Sequence, residues 1–188
     1  MRDWTLLDTA TAVECLHAGH VIAYPTEAVF GLGCDPSNEG AVRKLLRLKG
    51  RHESAGLVLI ASDFSQLKAW IAKVENSLIN RAMQTWPGPV TWLFPRAACV
   101  PDYVAGTHST VAVRITAHGP SRALCEAFGS ALISTSANHT SARPARTAAE
   151  VHDYFGSGLA GILEGELGGG EKPSEIRDLV SGNIIRQG

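Results

Sequence analysis

Apolar positions along the chain switch between two periods, and the switches predict the elements. Val13 and Leu16 recur at helical spacing around Thr11-x-x-Glu14, which predicts a short capped helix closed by Gly19. Residues 20–24 (HVIAY) then read as a strand that Pro25 stops. Ser37 or Asn38 is placed to cap a second helix in which Val42, Leu45 and Leu46 share a face, with Gly50 at its end. The unbroken apolar run 57–61 (LVLIA) predicts a strand buried on both faces, and Leu67, Trp70 and Ile71 follow at helical spacing.

Further along, the pattern predicts a helix ending near Trp86, strands at 90–94 and 110–115, a helix opened by Pro120 and closed by Gly129, and a strand at 131–135. Thr147-x-x-Glu150 repeats the capping-box signature before a helix ending at Gly156. Short apolar segments around Ile162, Ile176 and Ile184 complete the pattern. Strands alternating with helices predict an α/β sheet. The stretches 138–146 and 168–170 are the most loop-like and are where mobility is expected.

Composition narrows this picture. With 188 residues and no internal repeat, the chain is expected to form one domain over 1–188. Apolar residues at 45% and charged residues at 19% are those of a globular protein. A net charge of −1 gives no overall positive field of the kind that marks a dedicated nucleic-acid binder. The densest cationic run is Arg43, Lys44, Arg47, Lys49 and Arg51, which also reads as a solvated helix face. Cys15, Cys34, Cys99 and Cys125 are scattered and, like the histidines, lack metal-site spacing, so reduced thiols and no protein metal site are expected. The start Met1-Arg2-Asp3-Trp4 leads into no apolar leader and no stretch is long enough to span a membrane, so a cytosolic protein is expected.

Four clusters could carry chemistry. Tyr24-Pro25-Thr26-Glu27-Ala28 follows the first predicted strand and precedes Gly31-Leu32-Gly33, read as flexible; ligands in open α/β sheets bind beyond strand ends. Lys49-Gly50-Arg51 places two cations where they could clamp an anion, or simply oppose a helix macrodipole. Trp86-Pro87-Gly88-Pro89-Val90-Thr91 is a rigid turn that could aim the Thr91 hydroxyl into a site. Ser134-Thr135-Ser136-Ala137-Asn138 gathers small hydrogen-bonding groups where a strand ends, suited to phosphate oxygens or to an ordinary polar loop. Residues 165–172 imitate a P-loop, but Glu171 replaces the lysine and Pro173 opposes the helix, so that reading is rejected.

Taken in order, YPTEAVFGLG, LKGR, GLVLIA, WPGPVT, VAVR, STSAN, PSEIRD and IIRQG resemble the TsaC/YrdC family of threonylcarbamoyl-AMP synthases, from about Val21 to Gly188. The resemblance implies a twisted, open, mixed α/β sheet with flanking helices and a concave, positively lined cavity. It also implies an activity that joins L-threonine, bicarbonate and ATP into threonylcarbamoyl-AMP and pyrophosphate, with Mg²⁺ carried by the nucleotide. The product would pass to a separate transferase complex that modifies an adenosine beside the tRNA anticodon.

By that resemblance Lys49, Arg51, Ser136 and Asn138 form a catalytic tetrad, Thr26, Arg114 and Ser174 bind threonine, and Thr91, Ser134 and Arg186 lie near the nucleotide. Ala28 and His52 depart from the residues many members carry there, and the end just after Ile184-Ile185-Arg186 is that of the short form. Two rival readings predict different behaviour. A structured-RNA or ribosome-maturation factor would use Arg43, Lys44 and Arg47 on phosphates, with steep salt dependence and no turnover. A carbamoyl-transfer module would use carbamoyl phosphate.

Overall fold

The computed structural model describes residues 4–170 and 172–188; the expected absence of a leader in residues 1–3, and Glu171 as the break in a P-loop pattern, lie outside them. In chain order the elements are β1 (Leu6–Leu7), α1 (Thr9–His17), β2 (Ile22–Pro25), β3 (Phe30–Gly33), α2 (Glu39–Lys49), β4 (Val58–Ala61), α3 (Asn76–Met83), β5 (Val90–Pro95), α4 (Asp102–Ala105), β6 (Thr110–Ile115), α5 (Gly119–Phe128), β7 (Leu132–Ser136), α6 (Ala148–Phe155), β8 (Ile162–Leu163), β9 (Glu175–Asp178) and β10 (Ile184–Arg186). The strands form one open mixed sheet in the order β1-β8-β2-β3-β7-β4-β6-β5-β9-β10. Parallel pairs (β1/β8, β8/β2, β4/β6, β5/β9) are mixed with antiparallel ones, so the sheet is neither a simple doubly wound nor a meander type.

Register decides what each face carries. Ile133, Leu59 and Val113 stand in one cross-strand row and join the larger core with Val42, Leu45 and Leu46 of α2. On the other face Ile22, Tyr24, Ile60 and Leu132 pack with Leu16 of α1 and Leu124 and Phe128 of α5. These two helices cover only part of that face. Beyond them the rows continue through Ser134, Val58 and Ala112, side chains too small to need a roof, and the surface sinks into a cleft.

The expected terminators act as the sequence implies at two helices, α2 and α6. Asn38 accepts a hydrogen bond from the Ala41 N–H at 3.0 Å, Gly50 ends α2 in the left-handed conformation (φ 60°), and Thr147 and Glu150 complete a capping box on α6. Three expectations are corrected. Asp8, not Thr11, caps α1, because its carboxylate takes the Thr11 N–H at 2.8 Å. The spacing of Leu67, Trp70 and Ile71 does not make an α-helix: a 3₁₀ turn over Phe64–Leu67 starts at Asp63 and Ile71 bridges to Arg96, so burial alone set that spacing. Gly31-Leu32-Gly33 is a buried strand rather than a flexible link. A Cβ on Gly33 would lie 2.5 Å from the Tyr24 ring, so glycine is there for close packing.

The two loop-like stretches are tied down by backbone bonds. Ala145 N–H donates to Ala137 O, Thr140 N–H to Lys49 O, Gly168 N–H to Thr26 O and Gly170 N–H to Glu27 O. Among the described residues no helix is long and apolar enough to cross a membrane.

Candidate active site

The cleft encloses about 440 Å³, of the size that takes a small-molecule substrate. Its floor is the small-residue part of the sheet, Gly31 of β3, Ser134 of β7, Val58 of β4 and Ala112 of β6. Its walls are the β2–β3 turn, the segment after α2 and the chain around Ser174 and Arg186. Alternation along β6 explains the division: Val111, Val113 and Ile115 are buried in the core, while Thr110, Ala112 and Arg114 line the cleft.

Three arginines from separate elements meet here. Arg51 leaves the left-handed Gly50, with its Nη2 donating to Gly56 O at 2.9 Å. Arg114 is 6% exposed and bonds Glu27 Oε1 at 2.5 Å. Arg186 donates to Ser174 O at 2.7 Å. Burial, then Arg51 and Arg114, lower the pKa of Arg186, while burial lowers that of Arg51. Buried Nε–H groups of Arg51 and Arg114 have no acceptor among the described residues. Crowded guanidinium groups with unused donors form a site suited to anions.

Five of the six threonine and nucleotide candidates lie together. Thr26, Ser134, Arg114, Ser174 and Arg186 all line the cleft. The Thr26 hydroxyl donates to Val29 O at 2.6 Å, fixing the β2–β3 turn. Thr91 differs: it is fully buried and donates to Ser174 Oγ at 3.0 Å, supporting the wall from behind.

The proposed tetrad stands in two layers. Arg51 and Ser136 line the cleft, whereas Lys49 and Asn138 do not. Lys49 is 3% exposed, and its ammonium donates to the carbonyls of Ser136 and Asn138. Burial and Arg51 bring its pKa down to about 8. Asn138 turns its amide NH₂ to His139 O (2.8 Å) and Ala142 O (2.9 Å), leaving its buried Oδ1 without a partner. Thr140 also bonds Lys49 O and Gly50 O, so the end of α2 and the loop after β7 are laced together.

The cationic run does not act as one patch. Arg43 is paired with Glu39 (2.8 Å) and Glu53 (2.6 Å), Lys49 points inward and Arg51 faces the cleft. Sequence reading left Glu27, His108 and Lys172 without a role, yet all three line the cleft. Glu27 had a signal in its place within the Pro-Thr-Glu turn; His108 had none, because its position depends on the fold of the 105–110 connection. Burial opposes the charge on Glu27, but Arg114 and Thr116 outweigh it and hold its pKa low. The departures fit their places: Ala28 is buried beside the cleft, and His52 accepts the Ser54 N–H at 3.2 Å to cap a 3₁₀ turn.

Comparison with known proteins bears on the family and the fold. The Sua5/YciO/YrdC family model, described as telomere recombination, matches residues 14–188. The threonylcarbamoyl-AMP synthase of Halorhodospira halophila is 50% identical over 172 residues, covering 92% of this chain and 90% of that protein. The structure of P. abyssi Sua5 complexed with L-threonine superimposes with a TM-score of 0.84 at 27% identity, over 93% of this chain and 54% of that one. The E. coli YciO structure, at 24% identity and TM-score 0.85, covers 100% of this chain and 96% of that one and supports the fold.

Proposed function

The chain belongs to the Sua5/YciO/YrdC family, and on that premise we propose that it is a threonylcarbamoyl-AMP synthase, joining L-threonine, bicarbonate and ATP into L-threonylcarbamoyladenylate and pyrophosphate. The observation that carries this reading is the convergence of Arg51, Arg114 and Arg186 on one cleft, in which Glu27 is the one carboxylate among the described lining residues. The threonine amine bonds to carbon dioxide with loss of a proton to solvent, or to bicarbonate with loss of water, to give an N-carboxylate. One carboxylate oxygen then bonds to the α-phosphorus as the bond to pyrophosphate breaks.

That chemistry needs no protein nucleophile. It needs several anions brought together and the developing charge neutralised, which is positioning and electrostatic stabilisation. Arg114, with Thr26 and Ser174, takes the threonine carboxylate; Arg51, Arg186, Ser134 and Ser136 take phosphate oxygens. Thr91 fixes Ser174. Lys49 and Asn138 complete the tetrad from behind, holding the loop that carries Ser136 and adding positive charge to the wall.

The magnesium ion enters as part of the nucleotide substrate. The charged lining is basic apart from Glu27, which is already paired, and among the described residues no group of three or more His, Cys, Asp or Glu could hold a metal ion. The proposed setting is the cytosol, with the adenylate passed to a separate transferase complex acting on tRNA. Direct binding of structured RNA is the competing partner, and the neutralised Arg43 and inward Lys49 weigh against it.

The test is pyrophosphate release by the purified protein with MgATP and bicarbonate, with and without L-threonine, alongside Arg51→Ala. Threonine-dependent release that falls about 10²- to 10³-fold in the variant supports the reading. No release above background from folded wild-type protein overturns it, and salt-sensitive RNA binding would then replace it.

A further inference from the structure

We propose that Glu27 is a positioning residue for the amino-acid substrate, acting through Arg114; the inference rests on the synthase reading above. Glu27 Oε1 forms an ion pair with Arg114 Nη1 at 2.5 Å and accepts from the Thr116 hydroxyl at 2.8 Å. Thr116 is fully buried and its Oγ1 takes the His118 N–H at 3.1 Å, so its own proton is directed toward Glu27. The turn is held from the other side by Gly168 N–H on Thr26 O (3.0 Å) and Gly170 N–H on Glu27 O (2.7 Å). Both the backbone and the carboxylate of Glu27 are therefore fixed before any substrate arrives.

The consequence falls on Arg114. Its Nη1 is committed to Glu27, while its Nε–H is buried and has no acceptor among the described residues. A guanidinium presents Nε–H and one Nη2–H side by side, and that edge matches a carboxylate in two-point fashion. By occupying the opposite corner, Glu27 stops the planar group from rotating and leaves this edge for the substrate. An unsatisfied buried donor is costly, and a substrate carboxylate would relieve that cost on binding.

The same contact admits an opposite meaning: Glu27 could occupy the carboxylate site and be displaced. The two meanings differ in sign. As a positioning residue, Glu27→Gln raises the KM and Kd for L-threonine about 10-fold, while the KM for ATP stays within about twofold. Thr116→Val, which removes the hydroxyl that orients Glu27, raises the same constants about threefold. As a displaced placeholder, Glu27→Gln would lower the threonine constants.

The experiment is calorimetric titration of L-threonine, with steady-state kinetics, on wild type, Glu27→Gln, Thr116→Val, Arg114→Ala and the Glu27→Gln/Arg114→Ala double variant. Selective loss of threonine affinity in Glu27→Gln, absent in the Arg114→Ala background, is the expected result. An unchanged or improved threonine constant in folded Glu27→Gln overturns the proposal. So does an equal loss for ATP, or a penalty that persists without Arg114. Failure of the wild-type protein itself to bind threonine or release pyrophosphate would sink the synthase reading instead.

Discussion

One face of the sheet is divided into two unlike halves. Where Ile22, Tyr24, Ile60 and Leu132 point outward, α1 and α5 lie over them with Leu16, Leu124 and Phe128. Where Gly31, Ser134, Ser136, Ala112 and Arg114 line the face, no helix among the described residues covers the strands and a cleft of about 440 Å³ remains. β7 passes through both halves, with Leu132 under the roof and Ser134 and Ser136 in the cleft, so two residue steps separate structural from functional duty. Large apolar side chains attract helices because their burial is favourable, whereas small and charged ones leave the face free for a ligand.

The sharpest way to break this comparison is to cut each half once. Leu124→Ala leaves a cavity beneath α5 and is expected to cost about 2 to 5 kcal/mol of stability, with turnover per folded molecule retained. Arg51→Ala does the reverse, losing about 10²- to 10³-fold in turnover with a melting temperature near that of wild type. Denaturant melts and single-turnover assays on both variants check the pair; equal losses of stability and activity in either one would show that the halves are coupled.

A smaller cut asks whether small floor residues make the cleft. Ala112→Leu fills space between Val58 and Leu93, where overpacking strain of about 1 to 3 kcal/mol falls on substrate binding rather than on folding. The expected result is roughly a 10-fold rise in substrate KM with an unchanged melt. An unchanged KM would mean that the ligand does not reach the floor.

The roofed half was more legible in the sequence than the cleft. Periodicity and capping signals found α2, α5 and α6 and most strands because burial and backbone satisfaction leave local traces. It misled at Leu67, Trp70 and Ile71, where buried residues share a spacing without sharing a helix, and at Gly31 and Gly33, whose tolerance of close packing looks like flexibility in a bare sequence. Within the cleft, ordered motifs pointed to Arg51, Ser136, Arg114 and Arg186, all of which line it. They could not separate the layer facing the cleft from Lys49, Asn138 and Thr91 behind it. That distinction depends on which way a side chain turns: Lys49 follows the distant carbonyls of Ser136 and Asn138, Thr91 the distant hydroxyl of Ser174, and Asn138 the carbonyls of its own loop.

Lys49 joins the two kinds of region, since it is buried like the roofed half and charged like the cleft. Its folded pKa of about 8 lies below the ordinary 10.5, so the unfolded chain binds more protons between those values and stability rises with pH through that window. Below about pH 8 the buried charge costs on the order of 3 kcal/mol. Activity should move the other way, with the KM for ATP rising a few-fold as pH passes about 8 and the wall loses a positive charge. Urea melts and kinetics from pH 7 to 10, with Lys49→Met as the non-titrating control, check both signs. The same pH dependence in that control would assign it to another group.

The smallest effect belongs to Arg43, which lies outside both halves. Its guanidinium is already shared between Glu39 and Glu53 on an exposed surface, where ion pairs contribute little. Arg43→Ala should leave turnover within roughly twofold of wild type and leave the melt unmoved. The null result is informative because an RNA-binding role for this face would require Arg43 to exchange its carboxylate partners for phosphates. Such an exchange would appear as a change in the salt dependence of RNA retention between Arg43→Ala and wild type. Unchanged turnover with unchanged salt dependence would remove Arg43 from both roles and leave the RNA reading to Lys44 and Arg47, while Lys49 and Arg51 remain the cations that the fold turns toward the cleft wall.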